Sequence, residues 1–182
     1  MGDNPDKDPP LFFMKPRDAA VDVSDPGATI PYPPETANLH HEVEMVIALG
    51  SGKRDDMQNE AKKVGRPWDC SKGFDSSGPI GALTLAAGAA TGLGDGDSDK
   101  REIWLKVDGV VRQRSVVGAM VWSVPEMIAR LSQLFTLEPG DLLFTGTPAG
   151  VGPLRVGEKV EAGVDGLEPC RFEVGPLLPP TM

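Results

Sequence analysis

Cysteine is scarce: the 182 residues hold two, Cys70 and Cys170. They stand far apart in no CxxC arrangement, which excludes a disulfide framework and a zinc ribbon and fits a reducing compartment. Basic clusters are equally sparse. Against 27 acids stand 18 lysines and arginines, for a formal charge of −9. Beyond the pair in EAKKVGR, no basic run offers the footprint that nucleic acid or an anionic lipid surface requires. Apolar runs stay far below membrane-spanning length. The opening MGDNPDKDPP is acidic and proline-rich where a signal peptide needs a basic and then an apolar segment. These absences predict a soluble, cytoplasmic protein with a small-molecule partner. No internal repeat is visible, and the length suits one domain with a sizeable core.

What the chain has in quantity is punctuation. Its 22 glycines and 18 prolines divide the sequence into short extended pieces, so the architecture is expected to be mostly β with few helices, an α+β class. Candidate strands cover 11–15, 40–49, 79–86, 102–117, 141–146, 158–166 and 170–175, the fourth breaking at Asp108-Gly109 as a two-residue hairpin turn. One helix is well signed, over 123–135. Ser123 is its N-cap, Pro125 and Glu126 fill its first turn, and Met127, Ile128, Leu131, Leu134 and Phe135 share one face. A shorter polar helix is expected over 56–65. The join IALGSGKRDDMQNEAKK reads badly. It passes from a buried strand into a polar helix without the apolar packing such a crossover carries, as if residues were missing there.

The stretch HHEVEMVIALG, 40–50, carries two carboxylates on one strand face. Side chains alternate along a strand, so Glu42 and Glu44 point together, with Cβ atoms about 6.5–7 Å apart, and repel unless a charge compensates them. An acidic polar face of a half-exposed strand is one reading. The other is a site for a hard divalent ion, Mg²⁺, Mn²⁺ or Ca²⁺, favoured because Val46 and Ala48 on the same face suggest that the strand is going underground.

Taken in order, FFMKP, HHEVE, KKVGRPWDCSKGFDSSGPIG, WSVPEMIARLSQLFTLEPGD and FTGTPAGVG resemble the fumarylacetoacetate hydrolase family over nearly the whole chain. GRPWDxxKGFD is most similar to its fumarylpyruvate hydrolase branch, with the acylpyruvate hydrolases close behind. The resemblance implies a mixed β-roll of the family's C-terminal-domain type, a single catalytic domain over 1–182 and a homodimer. It also implies a Mg²⁺ or Mn²⁺ ion and hydrolysis of a carbon–carbon bond in a 2,4-dioxo acid, fumarylpyruvate giving fumarate and pyruvate. By match to the family's motifs, Glu42 and Glu44 bind the metal, Lys72 is catalytic, and Lys15, Gln58 and Thr147 contact substrate. Arg66, Trp68 and Asp69 fix the loop that presents Lys72, and Cys70 is inert. Two expected parts have no match. Ser51 stands where the family's third metal ligand, an Asp, is expected, with Asp55 as the nearest substitute. The water-activating His and Glu of a short helix ahead of the opening segment are also lacking. His40 and His41 do not match that His, and a histidine beside such a strand reads as an outer-sphere or surface residue.

Two other functions share these residues. Enolate chemistry at a metal equally serves a decarboxylase of oxaloacetate, or an isomerase or hydratase of the same fold. A metal-binding scaffold without catalysis is the reading from another class. Choice among dioxo acids falls to the pocket's far side, where a fumaryl carboxylate needs a cation. Arg17, Lys62, Lys63 and Arg66 are the basic residues near the matched motifs.

Overall fold

The structure is a computed structural model and describes residues 10–50, 72–84 and 100–177. Eleven strands are formed there: β1 Ala20–Asp22, β2 Ala28–Tyr32, β3 His40–His41, β4 Val46–Ala48, β5 Gly78–Ile80, β6 Glu102–Val107, β7 Val110–Val116, β8 Leu142–Phe144, β9 Gly152–Pro153, β10 Lys159–Val164 and β11 Cys170–Leu177. One α-helix lies wholly within the described residues, α1 Val124–Leu131. The class is mostly β with few helices, as expected. No helix among the described residues is long and apolar enough to cross a membrane.

The scaffold is a five-stranded mixed sheet in the order β2-β11-β10-β6-β7. Neighbours run antiparallel except β11 and β2, which are parallel. β6 and β7 form the expected hairpin. Asp108 and Gly109 both take positive φ, 49° and 78°, the pairing whose backbone twist matches that of the flanking strands. Alternation then does what period two predicts. Ile103, Leu105 and Val107 of β6 are buried on one face against Val160 and Ala162 of β10 and Val174 of β11. This cluster also takes in Tyr32, Val43 and Leu154.

A second, smaller cluster lies under α1. Val124 and Met127 pack on Leu143, with Ile47, Met120, Trp122, Ile128 and Leu131 around them. The capping box is formed: Ser123 Oγ accepts from the Glu126 N–H, and the Glu126 carboxylate accepts from the Ser123 N–H at 2.8 Å. The helix ends at Leu131 rather than at 135. Leu134 and Phe135 are 39% and 43% exposed, because the last residues turn away instead of holding the apolar stripe to the core.

Three further expectations need correction. Residues 11–15 are irregular, not a strand, and the piece expected over 79–86 is β5 followed by irregular chain at 81–84. The strand expected over 40–49 is two strands, β3 and β4, with 42–45 in neither. Ala48 is exposed, so that face does not go underground. Ser51, Asp55, Gln58, Lys62, Lys63, Arg66, Trp68, Asp69, Cys70 and the helix over 56–65 lie outside the described residues.

Candidate functional site

The break in the expected strand is what makes the site. Residues 39–49 run antiparallel to 141–154 and pair with them at both ends. β3 pairs with β9, His41 opposite Gly152, and β4 pairs with β8, Val46 opposite Phe144. Between those two pairs lie four residues on one segment, 42–45, and seven on the other, 145–151. The excess cannot be zipped, so the segments splay into an opening. Glu42 and Glu44 come from one lip, and TGTPAGV forms the other. Glycine is required on that second lip at one place in particular. Gly150 has φ +104°, and a Cβ there would lie 2.3 Å from the Arg112 carbonyl oxygen, so a side chain would push the lip off β7.

Glu42, Glu44, Lys15, Lys72 and Thr147 line one cleft of about 1770 Å³. This is larger than the 300–1,000 Å³ or so of most small-ligand sites, so the polar groups occupy one part of a longer, mainly apolar trough. Glu42 and Lys72 form an ion pair at 2.5 Å, each side chain about a quarter exposed. Lys72 Nζ donates to both Glu42 oxygens. Glu44 Oε2 instead accepts from the Gly146 N–H across the opening, at 2.7 Å. Burial pushes the Glu44 carboxyl above the ordinary carboxylate range. The neighbouring Glu42 adds to the rise, and the Gly146 bond and the two lysines oppose it.

Lys15 does not point a bare ammonium into the cleft. Its Nζ donates to the Lys72 carbonyl and to the Ser77 carbonyl and Oγ, the last two at 3.1 Å, and lies 5.8 Å from the centre of the Phe144 ring. Burial lowers its pKa, as does Lys72, while Glu44 and Glu42 act the other way. The ammonium therefore staples the irregular segment 10–16 to the chain that carries Lys72.

Sequence reasoning missed Gln113 entirely. It sits on β7, 1% exposed, and bridges the two lips: Oε1 accepts from the Val43 N–H at 3.0 Å, and Nε2 donates to Thr147 Oγ1 at 2.9 Å and to the Pro148 carbonyl at 2.8 Å. His41, 6% exposed, meets the same Oε1 through Nδ1 at 3.1 Å. His41 is thus buried rather than a surface residue, whereas His40 is exposed. The only signal was the glutamine between two arginines in VVRQRSV. It is weak, since a lone glutamine in a strand is ordinarily exposed.

The donor chemistry fits a hard divalent cation. Two converging carboxylates, one of them raised in pKa by burial and by its neighbour, are the kind of pair that a cation relieves, and carboxylate oxygens are the ligands Mg²⁺ and Mn²⁺ take. Among the described residues no group of three His, Cys, Asp or Glu side chains gathers around one point.

Residues 51–175 match the family described as fumarylacetoacetate (FAA) hydrolase C-terminal. The chain belongs to the fumarylacetoacetate hydrolase family. It is 35% identical to a mitochondrial oxaloacetate tautomerase of Arabidopsis thaliana over 187 residues, covering 91% of this chain and 80% of that protein. Among solved structures it is similar to the fumarylpyruvate hydrolase of Pseudomonas aeruginosa in complex with Mn²⁺ and pyruvate, with TM-score 0.77, 35% identity, and 96% of this chain and 82% of that one covered. It is also similar to a 5-carboxymethyl-2-hydroxymuconate delta-isomerase from Mycobacterium smegmatis, with TM-score 0.75, 26% identity, and 94% and 71% covered. The family is thus enzymatic, with hydrolase, isomerase and tautomerase members, and a divalent metal is found in one of these relatives.

Proposed function

We propose that this chain is a Mg²⁺- or Mn²⁺-dependent hydrolase that cleaves fumarylpyruvate to fumarate and pyruvate. The observation that carries the proposal is the convergence of Glu42, Glu44, Lys72 and Thr147 on one cleft, joined to the likeness to a fumarylpyruvate hydrolase that binds Mn²⁺ and pyruvate. Glu42 and Glu44 would hold the metal. When bound, the ion supplies Lewis acidity and a template for the 2-oxo acid end. Thr147 donates to the substrate carboxylate through its hydroxyl. Lys72, held by Glu42, offers an ammonium where negative charge develops as the carbon–carbon bond breaks. Lys15 keeps the Lys72 segment in place and lends positive potential to the carboxylate end. Gln58, given a substrate contact by the family resemblance, lies outside the described residues.

Specificity lies at the far side of the trough. Of the four basic residues near the motifs, Arg17 is the described one, and it lines the cleft; it would meet the fumaryl carboxylate. Exposed Leu11, Met14 and Val121 support the homodimer that the resemblance implies. A second reading, turnover of oxaloacetate, is favoured by the identity to oxaloacetate tautomerases.

Parallel assays at saturating Mg²⁺ separate the readings. Fumarylpyruvate should exceed acetylpyruvate in kcat/KM by the worth of one charge-assisted contact, about 2–5 kcal/mol, on the order of 30- to several-thousand-fold. Arg17→Met should erase most of that margin. Equal values for the two substrates would demote the chain to a general acylpyruvase. Turnover of oxaloacetate alone would move it to the second reading.

A further inference from the structure

The geometry points to Gln113 as a positioning residue that fixes the Thr147 hydroxyl as a hydrogen-bond donor into the cleft. The inference rests on the reading that Thr147 receives the substrate carboxylate, and it adds why that hydroxyl presents a proton rather than a lone pair.

The amide of Gln113 can face only one way. Its Oε1 lies 3.0 Å from the Val43 nitrogen, which can only donate, and its Nε2 lies 2.8 Å from the Pro148 carbonyl, which can only accept. Reversing the amide would set donor against donor at one end and acceptor against acceptor at the other, with the group almost wholly out of water, where such losses are costly. Two consequences follow from that fixed orientation. One is that His41 must carry a proton on Nδ1, because the atom it meets is the Oε1 acceptor. The other is that Thr147 Oγ1 accepts from the second Nε2 proton, at 2.9 Å. A hydroxyl that accepts from the buried side keeps its own proton for the open side, and the open side is the cleft with Glu44 and Lys72. An anion bound there is met by a donor, and no rotation of the hydroxyl has to be undone when it binds. The same amide holds the carboxylate lip through the Val43 N–H, between Glu42 and Glu44. One side chain thus sets the spacing of both lips.

Two measurements test this. The first is the protonation of His41 in the unaltered, Mg²⁺-loaded protein, read by long-range ¹H–¹⁵N correlation of the imidazole. A proton on Nδ1 is expected; an unprotonated Nδ1 overturns the amide orientation and the inference with it. The second is oxalate binding to Mg²⁺-loaded protein by calorimetry in a double-mutant cycle of Gln113→Glu and Thr147→Val at pH 8. The carboxylate that Gln113→Glu introduces would accept at both ends and draw the Thr147 proton away from the cleft. Each single substitution is expected to weaken oxalate roughly tenfold, and the pair no more than either alone. Additive losses overturn the positioning role and leave the site reading standing. No loss in Thr147→Val overturns the reading of Thr147 itself, and the inference falls with it. Should Gln113→Glu fail to fold, Gln113→Met, which removes the donor to Thr147, takes its place in the same cycle and is read in the same way.

Discussion

The five-stranded sheet and the opening beside it are built on opposite rules. In the sheet, β6 and β10 alternate buried and mostly half-buried residues and meet across an apolar face of Ile103, Leu105, Val160 and Ala162. Each fully buried side chain of this kind contributes about 1.5–3 kcal/mol. In the opening, regular pairing lasts two or three residues at a time, and what holds the lips is polar: the amide of Gln113, the ion pair of Glu42 and Lys72, and the Gly146 N–H on Glu44. The sheet gains stability by excluding water. The opening gives up pairing to keep carboxylates, an ammonium and a hydroxyl within one cleft, and rests on the sheet to do so, since Gln113 belongs to β7 and Val43 packs into the sheet's core.

That contrast is broken most sharply at the acids. Glu42→Ala and Glu44→Ala should each lower kcat/KM for fumarylpyruvate by more than the ~10–100-fold that losing an outer partner of a metal site costs. Thermal unfolding should barely move in Glu44→Ala, which removes a carboxylate that burial and Glu42 disfavour in its charged form, and should fall modestly in Glu42→Ala, which leaves Lys72 without its ion-pair partner. An unfolding midpoint that collapses together with activity would mean that the two regions are not separable.

The reciprocal experiment belongs to the sheet. Leu105→Ala empties part of a buried cluster and should cost about 2–5 kcal/mol. That is on the order of 5–15 °C in Tm for a chain of this size, and although Leu105 lies opposite Gln113 on the neighbouring strand, kcat/KM of the folded protein should fall far less than in Glu42→Ala or Glu44→Ala. Calorimetry beside steady-state kinetics reads both quantities.

The smallest effect is expected at the start of α1. Ser123→Ala should destabilise by about 1 kcal/mol. In the intact protein the Ser123 bonds lower the Glu126 pKa. The carboxylate's share of the capping contribution is therefore fully present above the ordinary carboxylate range and is lost as pH falls through the lowered folded value, while the bond from the Glu126 N–H to Ser123 Oγ remains. Unfolding midpoints of the two proteins should draw closer in acid, and a difference independent of pH would argue against the carboxylate's part in the box.

Legibility followed the same division. The hairpin at Asp108-Gly109, the strands β10 and β11 and the N-terminus of α1 could be read because local rules decide them: a two-residue turn, period-two alternation, and Ser123 with Glu126 three residues on. The strand over 40–49 could not be read as two. Nothing in HHEVEMVIAL says that its partner segment carries three more residues between the paired ends than it does, and that mismatch is a long-range property. That Glu42, Glu44, Lys15, Lys72 and Thr147 share one cleft was legible through motifs. Gln113 was not, because its role exists only once β7 is laid between Val43 and Thr147. The end of α1 failed for a third reason: Leu134 and Phe135 keep the helical spacing, yet the chain turns after Leu131 and leaves both partly exposed.

The central claim is that the two carboxylates of the opening act through a divalent cation on a dioxo acid. It is tested most directly by following the absorbance of fumarylpyruvate with the purified protein in Mn²⁺, then in excess EDTA, then after Mn²⁺ is restored. The account predicts turnover, its loss, and its return, with Glu42→Ala silent in all three conditions. Full turnover in excess EDTA, or undiminished turnover by Glu42→Ala, would contradict it.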